Sequence, residues 1–145
     1  MDSTNLKTQE ALSWVNFKGG RKMEEIGKKI WVIAEGFIPA DDETKDYKFI
    51  SHETACILNP NKEEAEIEIT VYFADKDPIG PYKIRLAGER TNHLRFNDLS
   101  EPARLPRDTD FSSIFRSNIP IVVQHTRLDS RRTDIALLST LAFGQ

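Results

Sequence analysis

A chain of 145 residues is about one domain's worth, long enough to bury a core without metal or disulfide support. Its 39% hydrophobic and 30% charged content is ordinary for a globular protein, and no apolar run approaches the ~18 residues of a membrane span, so no integral membrane protein is expected. Twenty Lys and Arg against 23 Asp and Glu leave a net charge of −3, the wrong sign for a chain whose main partner is a polyanion, so nucleic-acid binding is not expected.

The opening residues, MDSTNLKTQEALSWVNF, carry no basic leader, continuous apolar stretch or small-residue cleavage site, and Cys56 is the single cysteine. A reducing, cytoplasmic setting follows as an expectation, with Cys56 a buried strand thiol rather than a nucleophile. Residues 1–22 are polar, with Leu6, Ala11, Leu12, Trp14 and Val15 scattered among them, and read as an N-terminal extension, flexible or weakly helical. Residues 23–145 read as one β domain.

Ile30 to Ala34 is the first strand, apolar enough to be buried on both faces. His52 to Leu58 and Ala65 to Ala74 follow. In the latter, Ala65, Ile67, Ile69, Val71 and Phe73 alternate with Glu66, Glu68, Thr70 and Tyr72, which predicts one buried and one wet face. The turn over Asn59 to Lys62 predicts that these two strands form a hairpin. Asp75 to Pro81, with Pro78, Gly80 and Pro81, predicts a loop. Two more strands centre on Tyr82 to Leu86 and Leu94 to Phe96, with Gly88 turning the chain between them. Residues 98–118 predict a long connection in which Thr109 or Asp110 caps a single helical turn over Phe111 to Phe115. Ile119 to Leu128 and Ile135 to Phe143 close the chain. Short strands, long loops and little helix give an all-β antiparallel sandwich with Greek-key or jelly-roll connections.

None of the three histidines has a partner at the short, regular separation of a zinc motif, no serine lies in a Gly-x-Ser-x-Gly elbow, and no glycine loop suits a phosphate. Neither a metal nor a cofactor is expected. What remains is a set of strand residues able to hydrogen-bond a small polar ligand: Glu35, His52, Glu53, Arg95, Asn97, Gln124, His125, Arg127 and Asp129. The same groups could instead serve as buried ion pairs, loop anchors or subunit contacts.

Several ordered blocks resemble the sensory rhodopsin transducer family: Trp31 to Pro39 (WVIAEGFIP), Phe49 to Asn59 (FISHETACILN), Asp75 to Tyr82 (DKDPIGPY), Arg95 to Leu99 (RFNDL) and Pro120 to Arg131 (PIVVQHTRLDSR). The resemblance runs from about Gly27 to Ala142. It implies a sandwich of eight strands, a homotetramer, and a transducer without catalytic activity that docks on the cytoplasmic face of a membrane photoreceptor or another signalling protein. It also implies a role in binding a small, sugar-like molecule. Residues 1–22 have no counterpart in it, and the chain lacks the mobile C-terminal tail that the photoreceptor partner would meet, so the binding role is the firmer expectation.

Two other functions are consistent with the residues. One is an enzyme acting on a sugar-like substrate through His52 or His125 with Glu53 or Asp129. The other is a DNA-binding regulator using Arg85, Arg90, Arg95, Arg104 and Arg107, or Arg127, Arg131 and Arg132. Finally, Ile135 to Phe143 is apolar on both faces, which predicts that one face packs inside the domain and the other on a neighbouring subunit.

Overall fold

The computed structural model describes residues 24–145; the expectations for residues 1–22 and for Met23 as the start of the domain lie outside it. Eight strands run in the order β1 (Lys28–Phe37), β2 (His52–Asn59), β3 (Ala65–Tyr72), β4 (Ile79–Leu86), β5 (Arg90–Arg95), β6 (Asp110–Asp129), β7 (Ala136–Leu141) and β8 (Phe143–Gly144). All pairings are antiparallel. One sheet, in the order β4-β3-β6-β1-β8, uses the first half of β6; the second, in the order β5-β2-β6-β7, uses the other half. The 20-residue β6 therefore belongs to both sheets and hinges the sandwich.

The core lies between the inward faces. Ile67, Ile69 and Val71 of β3, Ala55 and Ile57 of β2, and Phe115, Ile121 and Val123 of β6 are almost wholly excluded from solvent. Each large apolar side chain so buried stabilises the fold by about 1.5–3 kcal/mol. Phe96, in a 3-10 turn after β5, packs against Phe111 and Phe115 with ring centroids 5.3 and 6.2 Å away, tying the two layers together.

Several expectations need correction. First, β2 and β3 are not a hairpin: β2 pairs with β5 and β6, and β3 with β4 and β6, so the turn after Asn59 carries the chain from one sheet to the other. Buried Asn59 fixes that corner by donating from Nδ2 to the carbonyls of Glu63 (2.8 Å) and Leu86 (3.0 Å) while Oδ1 accepts from the Asn61 amide (3.0 Å). Second, Phe111 to Phe115 is strand, not a helical turn. Phe111, Ser113 and Phe115 are buried at alternate positions and the segment pairs on both sides, so ladder formation outweighs local capping chemistry. Asp108 instead accepts the Ala40 amide at 2.8 Å, and Thr109 turns back on the Arg107 carbonyl at 3.0 Å.

Third, Ile79 to Pro81 opens β4 rather than ending a loop. Gly80 makes this feasible: at φ +146° it lies against β3, where a Cβ would stand 2.8 Å from the Ile69 carbonyl oxygen. Fourth, the C-terminal strand is largely unpacked within this chain, with Ala142 alone of its apolar residues half-buried against the core. It breaks at Ala142 into β7 and β8, and Leu137, Leu138, Leu141 and Phe143 are 69, 49, 75 and 66% exposed. β1 also alternates, burying Trp31 and Ile33 while Ile30 and Val32 are half-buried, and Cys56 is half-buried too.

Candidate functional site

Period-two alternation along β2 and β6 turns Glu53, His125 and Arg127 to the inside of the sandwich. Glu53 is fully buried. Its Oε1 accepts the Phe37 amide at 2.8 Å and Arg127 Nε at 2.5 Å, and its Oε2 is in a short hydrogen bond with His125 Nε2. Arg127 extends the cluster outward, donating from Nη1 to the exposed Glu35 at 3.0 Å. Burial alone would lower the Arg127 pKa, but the hydrogen bonds and charges of Glu53 and Glu35 outweigh it and raise the pKa overall. A polar group buried without partners destabilises the fold; the Phe37 amide and the Arg127 guanidinium donate to Glu53 and fix it in place.

The cluster adjoins a cleft of about 250 Å³ where the two sheets part, between the β1 segment Val32 to Glu35 and the C-terminal residues Leu138 and Thr140 to Phe143, with His125 in its wall. Most of the lining is aliphatic or aromatic. The volume lies between that of a cavity that takes benzene, about 150 Å³, and the larger range of drug-sized sites.

Of the nine residues singled out in the sequence, Glu35, Glu53, His125 and Arg127 meet here. Asn97 joins them through the backbone, accepting the Glu53 amide at 3.2 Å and donating to the Ser51 carbonyl at 3.0 Å. The other four lie elsewhere. His52 faces outward and pairs through Nδ1 with the Ile50 carbonyl at 2.7 Å; burial, helped by the nearby Arg95 charge, lowers its pKa. Arg95 stacks 3.8 Å above the Tyr47 ring. Gln124 donates to Ser139 at 2.7 Å on the outer face, and Asp129 holds Arg131 at 2.7 Å.

One polar cluster escaped the sequence reading. Asp41 accepts from the Ser51 amide and hydroxyl, both at 2.7 Å, from the Ser130 hydroxyl at 3.2 Å and from Lys45 Nζ at 2.6 Å. Burial alone would raise its pKa, yet these donors hold it well below the usual carboxylate range. The cluster pins the loop after β1 to the end of β6. Its members are spread from position 41 to position 130, so no local motif announces it. Among the described residues, no group of three or more His, Cys, Asp or Glu side chains could hold a metal ion, and no helix is long and apolar enough to cross a membrane.

An antiparallel sandwich with a polar cluster buried beside an apolar cleft places the chain among small all-β modules. A family model described as Anabaena sensory rhodopsin transducer matches residues 26–144, and the chain belongs to that family. Among solved structures, the Anabaena sensory rhodopsin transducer is 52% identical over 70% of this chain and 99% of its own, with a TM-score of 0.65. The crystal structure of Thermotoga maritima 1070 is 30% identical over 83% of this chain and 97% of its own, with a TM-score of 0.74. A search of curated proteins returned no match.

Proposed function

We propose that this chain is a non-catalytic, signal-relaying module that binds a small polar ligand, sugar-like in offering hydroxyls, and passes the bound state to a protein partner. The observation that carries this reading is the reach of Glu53. One buried carboxylate touches His125 in the cleft wall, Arg127 behind it and the backbone at the end of β1, while its own amide meets the Asn97 anchor of Ser51. A ligand that reorients His125 acts directly on groups that fix where β1 ends and the loop to β2 begins.

Family membership supports the relay half of the reading, since the Anabaena relative is named as a transducer of a sensory rhodopsin. The same proposal takes the partner to be the cytoplasmic face of a membrane photoreceptor or another signalling protein, the setting to be the cytoplasm, and the working form to be a homotetramer. The exposed apolar residues of β7 and β8 are a surface on which such contacts can form.

The test is a thermal-shift screen of the full chain against sugars, sugar acids, nucleotides and small phenols, with each compound that binds then followed for turnover. A ligand of the native state must raise the unfolding midpoint. A stabilising compound recovered unchanged is the expected result. Product formation would overturn the non-catalytic reading, and a panel without a single shift would remove ligand binding from the function.

A further inference from the structure

A sheet edge offers unpaired backbone donors and acceptors to any strand that approaches it, and natural proteins blunt such edges with charge, proline or brevity. Three of the four edges here are blunted. β4 carries Pro81, Lys83 and Arg85, β5 begins and ends on arginine, at Arg90 and Arg95, and β8 is two residues long. β7 is different: its six residues Ala136–Leu141 contain no charge and no proline, and among the described residues it pairs with β6 alone. The direction of its backbone groups follows from the register. The Ala142 amide donates to the Val123 carbonyl at 3.4 Å, and alternation from that pair turns the backbone of Ala136, Leu138 and Thr140 toward Asp129, Arg127 and His125 of β6. The backbone groups of Leu137, Ser139 and Leu141 therefore face outward, where the Thr140 hydroxyl, 3.5 Å from the Leu141 carbonyl, is their one hydrogen-bond partner among the described residues.

We propose that this edge is paired by β7 of a second copy of the chain, antiparallel about a two-fold axis at Ser139, so that the second sheets of two copies run on as one. This rests on the homo-oligomeric form in the reading above and assigns it an interface. The occupant is fixed by the order of the outward residues, Leu-Ser-Leu, which reads the same in both directions. Pairing about Ser139 sets Leu137 beside Leu141 of the partner subunit at each end and the two serines beside each other at the centre, with about six backbone hydrogen bonds. Apolar meets apolar and polar meets polar. The same pairing brings Leu137 and Leu141, 69 and 75% exposed, against a neighbour. Because the contact is isologous it closes at two copies and uses up an edge that would otherwise template open-ended pairing.

The full chain is followed by light scattering and by residue-resolved amide hydrogen exchange. In the assembled protein the Leu137, Ser139 and Leu141 amides are expected to exchange as slowly as those of Leu138 and Thr140, whereas a free edge would show alternation, with only Leu138 and Thr140 protected. Ser139→Pro removes the central outward donor and leaves the ladder to β6 in place, so it should halve the mass and speed exchange at Leu137 and Leu141 roughly tenfold or more. Ser139→Ala, which loses the hydroxyl but keeps the amide, should assemble as the wild type does. Alternating protection in a multimeric wild type, or a folded Ser139→Pro protein of wild-type mass, would overturn the proposal and leave the homo-oligomer standing on another surface. Where Ser139→Pro does not fold, the wild-type exchange pattern decides alone. A wild-type mass of one chain at concentrations well above micromolar would overturn the proposal and the homo-oligomeric reading together.

Discussion

At Glu53 a single substitution separates a structural ion pair from a replaceable polar contact. The side chain is fully buried and its charge faces Arg127 and His125, so Glu53→Gln keeps the shape but leaves a guanidinium inside the protein with only the rim carboxylate of Glu35. Breaking one side of a buried pair typically costs 3–5 kcal/mol. Glu53→Gln is expected to lower the unfolding free energy by about 3 kcal/mol, read from the urea midpoint at constant slope; a loss below about 1 kcal/mol would mean that water already shares the cluster. The residue types at this site were legible in the sequence, because carboxylates, histidines and arginines stand out on otherwise apolar strands. Which of them point inward was not. Gln124 and His125 are neighbours in the chain, yet one bonds Ser139 on the outer face and the other Glu53 inside. That parity is set by the register of β6 against β2 and β7, a non-local quantity.

Among elements, alternation identified β3 because every second residue is apolar and the others are charged or polar. In β6 the inward sequence passes through Ser113 and Ser117, whose hydroxyls are buried without partners, so the apolar period is interrupted and capping chemistry reads as a helical turn. The hairpin reading of β2 and β3 failed for a related reason. A turn fixes where the chain bends, but not whether the next strand pairs back or crosses to the opposite sheet. What decides it is a set of contacts at the corner, where the Glu89 amide donates to the Asn61 carbonyl at 2.7 Å and Gly88 sits against Lys62. A Cβ on Gly88 would lie 1.9 Å from the Lys62 carbonyl oxygen, which is backbone and has no rotamer to escape by. Gly88→Ala is therefore expected to destabilise the protein by about 2 kcal/mol, near the middle of the range for forced overpacking. Equilibrium unfolding checks it, and an unchanged midpoint would show that the two corner turns move apart freely.

For the whole molecule the two outer faces differ in kind. The outer face of the first sheet carries Glu66, Glu68, Lys83, Arg85 and Arg116, as a solvated surface should. The register of the second sheet aligns His52, Thr54, Cys56 and Leu58 of β2 with Leu128, Thr126, Gln124 and Val122 of β6, and then Leu137, Ser139 and Leu141 of β7. These three strands place no carboxylate, lysine or arginine on that face, while Leu58, Leu137 and Leu141 are 42, 69 and 75% exposed. Both lateral partners of β6 are present, so what this surface lacks is a layer above it. A second copy of the chain would supply one, since the uncharged face that β2, β6 and β7 form beside Arg95 of β5 can pack on itself about a two-fold axis. The full chain is therefore expected to run in light scattering as a multiple of 16.6 kDa, and Leu137→Glu combined with Leu141→Glu should reduce it to a single chain by burying charge at the contact. Lys83→Glu, on the charged face of the other sheet, should leave the mass unchanged. A wild-type mass of one chain at concentrations well above micromolar would defeat the idea, and would leave the bare face of the second sheet to a partner of another kind.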